Sequence, residues 1–243
     1  MLKELSKHFE HYAIHARFMP VFVVLFPLVL TVLAWYPQAK TILGATMTLL
    51  ISFGIMSFLS IYISNLGNDL QDNYFKKWGG APSTLLLLPS NKELDRYTKQ
   101  RYFKWLNRKC SGLDLPDTLD GQVENEELYE KIRSASNYMR EYTRDRKKYS
   151  QIYNDNVAYG FARNIVAIKK AGLVVASISL VSNGLFLYFT TTTDFPHTLN
   201  SMGIISLFTS IICLLIHCFV LNEKFVKRRG YRYARTLFEA CDK

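Results

Sequence analysis

The chain has 243 residues, a formal net charge of +10 and 49% hydrophobic residues, with charge and hydrophobicity confined to separate blocks. A soluble helical protein mixes the two along each helix, because one face of each must be wet. Segregation on this scale excludes an ordinary soluble fold and suits a bilayer.

Leu2–Arg17 reads as an amphipathic helix leading into the membrane, with His8, His11 and His15 on one face. Without a cysteine or carboxylate at suitable spacing they make a poor metal site, so no metal or other cofactor is expected. Four long stretches follow that lack Asp, Glu, Lys and Arg: Phe18–Tyr36, Thr41–Asn68, Ala171–Thr193 and Phe195–Lys224, the last charged only at its end by Glu223 and Lys224. About 20 apolar residues cross a bilayer as a helix. The expected spans are 18–36, 41–64, 171–193 and 202–221.

Span one is rich in Val, Leu and Phe and reads as lipid-facing, with Pro20 near its start and Pro27 inside it. The other spans carry stripes of small or polar residues: Gly54, Ser57, Ser60 and Ser64; Gly172, Ala176, Ser179 and Asn183; and Gly203, Ser206, Ser210, Cys213 and His217. Small residues let membrane helices approach closely, and polar ones hydrogen-bond between them. Each stripe therefore serves either helix packing or a water-filled path. Asn183 and His217 must face protein or water rather than lipid.

Between spans two and three, Asn65–Lys170 holds 19 Lys/Arg against 14 Asp/Glu, and the loops 37–40 and 194–201 are nearly free of cations. The positive-inside rule puts both termini and the middle segment in the cytoplasm. None of Cys110, Cys213, Cys218 and Cys241 falls in a short outside loop, so all four are expected as thiols.

The middle segment reads as two helices. One starts at a capping box, Ser90 with Glu93, and runs to about Lys109. The other runs from about Glu124 to Tyr153 on an apolar face of Leu128, Ile132, Ala135, Met139, Tyr142 and Tyr149. A hairpin is the simplest arrangement. Cations crowd with aromatic rings here: Arg101, Lys104, Trp105 and Arg108 on the first helix, and Arg140, Arg144 and Lys147 late in the second. Cations neutralise phosphates and rings stack on bases, so these seven are the candidate contacts for a nucleotide or oligonucleotide. A merely solvated, lipid-facing positive surface is the plainer alternative. No catalytic motif is present, and an enzyme is not expected.

The organisation expected is an all-α integral membrane protein of four transmembrane helices. Its parts are an N-terminal amphipathic helix (1–17), a transmembrane hairpin (18–64), a helical cytoplasmic domain (65–170), a second hairpin (171–221) and a basic tail (222–243). The tail's run Lys224–Arg235 reads as a lipid-headgroup contact. Two motifs mark the joins: Trp78-Gly79-Gly80-Ala81-Pro82-Ser83-Thr84, and Tyr159-Gly160-Phe161-Ala162-Arg163-Asn164. Both read as coupling turns, through Trp78, Gly79, Gly80 and Pro82 and through Tyr159, Gly160, Arg163 and Asn164.

At these two motifs the chain resembles the membrane effectors of Hailong-type bacterial anti-phage defence systems, which share a Trp-Gly-Gly-x-Pro turn and a Tyr-Gly-Phe-x-Arg-Asn stretch. The resemblance implies a homo-oligomeric, tetrameric ion channel of the inner membrane. A partner nucleotidyltransferase would make single-stranded DNA oligomers that hold it closed, and their loss would depolarise the cell. A non-conducting scaffold that recruits a soluble partner and a small transporter are the rival readings.

Overall fold

The computed structural model describes residues 11–36, 39, 41, 42, 44, 46, 55–119, 123–193 and 201–242. Ten of the 24 residues of the second expected span, Gly54 among them, and the Ser57 side chain lie outside them, as do His8 and the start of the N-terminal helix. The described residues form helices and turns without a strand. Contacts divide the chain into two units, Met1–Leu70 with Gly160–Phe225, and Gln71–Tyr159 with Val226–Lys243.

Among the described residues, the first unit contains three helices long and apolar enough to cross a membrane, Ala13–Trp35, Lys169–Thr191 and Ser201–Val220. The first opens with a π-helical turn, Ala13–Phe18, and continues as α1, Met19–Trp35. Near the start of the unit's other long helix, α2 (Ile55–Trp78), Ser60 and Ser64 are buried. After these come α7 (Lys169–Thr193) and α8 (Ser201–Leu215), which ends in a π turn, Ile216–Val220. Helices α1, α7 and α8 pack on one another pairwise. The first span is more than a lipid-facing anchor. Pro20, Val24, Pro27, Thr31 and Ala34 make a buried stripe along it, while Phe22 and Phe26 stay exposed. Outward faces of α7 and α8 are equally apolar (Val174, Ile178, Val181, Phe208, Ile212), as helices surrounded by hydrocarbon require.

The second unit is built on α3 (Pro82–Leu85), α4 (Arg96–Lys109), α5 (Glu126–Tyr142), the start of α6 (Ser150–Ala167) and α9 (Glu223–Phe238). Its core holds Phe103, Leu106, Ile132, Met139, Leu237 and Phe238, all fully buried. The C-terminal segment is thus no solvated tail. Val226, Gly230, Ala234 and Leu237 lie on one buried face of α9. At Gly230 a Cβ would come within 2.9 Å of Pro82 Cγ and 3.2 Å of Tyr159 Cε2, so only glycine allows this approach. Two cations of the run pair with acids of the unit: Arg232 with the buried Asp155 at 2.9 Å and Arg235 with Glu93 at 3.3 Å.

Two helix boundaries differ from the sequence expectation. Helix α4 starts at Arg96, not at Ser90. Asp95 caps it by accepting from the Thr98 amide at 2.9 Å, and hydrogen bonding from the Thr98 side chain, then from this amide, holds the Asp95 carboxyl below the usual range. The buried Lys99 Nζ donates to the carbonyls of Leu88 (2.7 Å) and Asn91, fixing residues 88–91 as a turn, and the Ser90 amide donates to Glu124. The second expected helix breaks after Tyr142. There the Asp145 carboxylate accepts from the amides of Lys147 (2.9 Å) and Lys148 (3.2 Å), an alternative to helical bonding that short acidic side chains favour. Tyr149 therefore belongs to a separate turn and not to the α5 face. Asn125 caps α5 through the Leu128 amide at 2.8 Å.

Candidate functional site

The basic and aromatic residues of the second unit form a surface centred on Tyr142. Helix α4 presents Arg101, Lys104 and Arg108 to solvent with Trp105 half-buried beside them. Trp105 meets Tyr142 edge-on at 5.2 Å between centroids. Tyr142 in turn stacks on Tyr138 and tilts against Tyr149, each at 6.0 Å. Cations lie over these rings: Lys109 over Trp105 at 5.9 Å, and Lys148 over Tyr142 at 6.0 Å and Tyr149 at 5.1 Å. A hydrogen bond to Tyr149, then the negative potential of Tyr149 and Tyr142, keeps the Lys148 ammonium above its ordinary pKa. Cation–ring contacts of this kind contribute about 0.5–1 kcal/mol at exposed sites.

Residues marked from the sequence do not all join this surface. Arg101 is committed to Asp242, at 2.8 Å from Nε and 3.1 Å from Nη2, and the hydrogen bond raises its pKa further. Arg144 pairs with Glu141 at 3.1 Å. Lys104, Trp105, Arg108 and Lys147 remain solvent-facing or half-buried around it. Tyr138 belongs to the surface without standing out in the sequence, and Lys148, one of the cations at the end of the second expected helix, belongs to it although it is not among the seven candidate contacts. The spacing of Tyr138 and Tyr142, one helical turn apart, was the available signal.

Arg140 sits elsewhere, in a cleft of about 650 Å³ lined by Phe75, Lys76, Gly79, Gly80, Ala81, Thr84, Tyr129, Arg133, Asn137 and Arg140. The cleft forms where α2 ends. Gly79 and Gly80 adopt φ of 84° and 151°, conformations open to glycine at little cost, and the Gly80 amide donates back to the Phe75 carbonyl at 2.8 Å. A Cβ on Gly80 would lie 2.4 Å from the Tyr129 hydroxyl. Pro82 then starts α3, as the sequence turn requires. Trp78, stacked on Tyr74 at 5.2 Å with Lys227 over its ring at 5.7 Å, closes the helix.

The second motif is not a turn. Tyr159, Gly160, Arg163 and Asn164 are interior residues of α6. Gly160 serves close packing instead: a Cβ there would lie 2.5 Å from the Tyr12 hydroxyl and 3.0 Å from Ala16 Cβ. The fully buried Asn164 donates to the Ala16 carbonyl at 2.7 Å, and its Oδ1 presses on Gly67, where a Cβ would stand only 1.8 Å away. Tyr159 donates its hydroxyl to Gln71 Oε1 at 3.0 Å.

The small-residue stripes of α7 and α8 face each other and α1. The two N–H groups of Asn183 Nδ2 are shared among Thr31 Oγ1 (2.8 Å), the Ser179 carbonyl (2.8 Å) and Ser206 Oγ (3.1 Å), with Ser210 Oγ at 3.5 Å. Trp35 Nε1 donates to Asn183 Oδ1 at 2.9 Å. Thr31 and Trp35, from the span read as lipid-facing, complete this buried knot. Cys213 and His217 continue the stripe. Buried His217 has Nδ1 2.7 Å from the Cys213 carbonyl and covers Gly172, where a Cβ would stand 2.0 Å from Nε2.

The chain matches no protein-family model, no curated protein and no solved structure at a significant level.

Proposed function

We propose that this chain is a ligand-regulated, homo-oligomeric membrane pore that acts as a toxic effector in bacterial anti-phage defence. In this reading it spans the inner membrane four times. A helical cytoplasmic domain is inserted between spans two and three, and an oligonucleotide bound there, supplied by a nucleotidyltransferase partner, holds the pore shut. The observation that carries the reading is the pairing, in one chain, of three membrane-length apolar helices with a charged unit whose surface interleaves Trp105, Tyr138 and Tyr142 with Lys109 and Lys148. Rings and cations in alternation suit single-stranded nucleic acid, whose bases stack while its phosphates are neutralised. The knot around Asn183 ties α1, α7 and α8 together, which favours a path between copies of the chain, a tetramer in the resemblance, over one through that group of helices.

Expression of this chain alone, followed with a voltage-sensitive dye, tests the pore: rapid depolarisation is expected, and a steady potential with the protein confirmed in the membrane argues against it. Binding of a short single-stranded DNA to the purified protein tests the ligand. Trp105→Ala is expected to weaken binding by about 1–3 kcal/mol, the worth of one stacked base. Unchanged affinity would move the site elsewhere.

The knot also favours a second reading. A bundle whose buried polar groups satisfy one another suits a non-conducting anchor that recruits a soluble partner. That reading predicts no change in potential.

A further inference from the structure

The cleft at the end of α2 is chemically distinct from the Tyr142 surface. Its ten lining residues include three cations, Lys76, Arg133 and Arg140, and no carboxylate. The cations come from two helices far apart in sequence and converge on one concavity. Arg140 is already oriented, with Nη2 3.2 Å from Ser83 Oγ. Arg133 gives one nitrogen to Glu130, at 3.0 Å outside the lining. A guanidinium carries five N–H donors, so both arginines keep donors for a ligand. Asn137 and Thr84 add neutral polar groups, and Phe75 and Tyr129 add two rings. The volume lies in the range of small-molecule sites, about 300–1,000 Å³, which fits one nucleotide and not a strand.

We infer that this cleft binds a single nucleoside phosphate, with its phosphates held by Lys76, Arg133 and Arg140 and its base set against Phe75 and Tyr129. Two arginines and a lysine match a phosphate better than a carboxylate-bearing metabolite, because guanidinium forks bind phosphate oxygens in pairs and the ammonium adds a point charge. The two rings in the lining favour a nucleotide over an inorganic anion. The Gly79–Gly80 turn serves the site by keeping side chains out of its floor: a Cβ on Gly80 meets the Tyr129 hydroxyl, so any larger residue would displace that ring.

This inference does not depend on the pore reading, and its test separates the two. Titration calorimetry on the full-length protein in detergent would use ADP, inorganic phosphate and adenosine in turn. ADP is expected to bind, with phosphate and adenosine each at least about tenfold weaker, a difference of about 1.4 kcal/mol. The double substitution Lys76→Gln with Arg133→Gln is expected to weaken ADP at least about tenfold with the melting temperature unchanged, since both side chains are exposed. The same variant should bind single-stranded DNA as the parent does, whereas Trp105→Ala should lose DNA and keep ADP. Four outcomes would overturn the inference: no ADP binding, adenosine binding as tightly as ADP, phosphate binding as tightly as ADP, or ADP affinity indifferent to the double substitution.

Discussion

Two polar clusters in this molecule, one neutral and one cationic, differ in how they are satisfied. Around Asn183, in the first unit, every hydrogen bond is made within the protein. Trp35, Thr31, Ser179 and Ser206 all lie within 3.1 Å of its amide, and the group is sealed from solvent. In the cleft of the second unit, Lys76, Arg133 and Arg140 face an open space with no acid on its walls. The first arrangement stabilises a bundle, because an amide in hydrocarbon must find partners. The second keeps cations in solvent whose bonds to Ser83 and Glu130 use only part of their donors. Polar residues in a membrane protein are therefore best sorted by whether their donors and acceptors are closed upon each other.

Breaking the closed cluster should have the largest effect. Asn183→Leu leaves the Trp35 N–H without its partner, an orphaned group that costs about 1–3 kcal/mol, and removes the amide's bonds to Thr31 and Ser206, which keep each other at 3.2 Å. Membrane hydrogen bonds fall at the low end. A loss of about 2–3 kcal/mol is expected in thermal unfolding in detergent. A change under about 0.5 kcal/mol would mean that the knot does not hold the three helices.

Gly67→Ala comes next. Its methyl would stand 1.8 Å from Asn164 Oδ1, and overpacking costs about 1–3 kcal/mol. The double variant with Asn164→Ala should recover part of that loss, and additive losses would remove the steric explanation.

A third effect belongs to the core of the second unit and appears only in alkali. Burial pushes the Tyr102 phenol and the Cys241 thiol each up to about 12, and the Asp242 charge adds to both. The fold holds these protons more tightly than the unfolded chain, whose values are near 10.0 and 9.0. Their contribution is therefore complete below pH 9 and is lost as pH rises towards 12. Stability measured by circular dichroism from pH 8 to 12 should fall across that window, and less steeply in Tyr102→Phe. An identical profile would show that Tyr102 ionises without unfolding.

The smallest effect tests the open cluster. Arg133→Gln removes an exposed ion pair with Glu130, worth at most about 1 kcal/mol, and should leave stability within about 0.5 kcal/mol. A larger loss would make the cleft a structural feature after all.

What the sequence displayed depended on which residues carry a signal. The stripes Ala176–Ser179–Asn183 and Ser206–Ser210–Cys213–His217 were legible, because small and polar residues stand out against Leu and Ile, and all are buried. Thr31 and Trp35 were not, since one threonine and one tryptophan in a Val/Leu/Phe helix form no pattern. The α9 face was hidden for the opposite reason. Gly230 and Ala234 bury backbone more than apolar side chain, and five cations between Lys227 and Arg235 dominate the composition. At α4 two caps competed, Ser90 with Glu93 against Asp95 with Thr98. Lys99 decides between them by binding the carbonyls of Leu88 and Asn91, a long-range contact that no local motif records. The cleft was invisible because Lys76 and Arg133 are 57 residues apart and meet only through the fold.

The placement of α9 also sets an order of events during synthesis. Ala234, Leu237 and Phe238 sit in the core beside Phe103, Ile132 and Met139, yet they leave the ribosome only after the apolar helix Ser201–Val220 has been made. The charged unit therefore waits, incompletely packed, while that helix finds its place in the bilayer. Contacts that close so long a span of chain form slowly, and during the wait the exposed half-core is a natural substrate for chaperones and proteases. A chain whose apolar helices fail to insert would then be presented for degradation before its charged unit was ever fully packed.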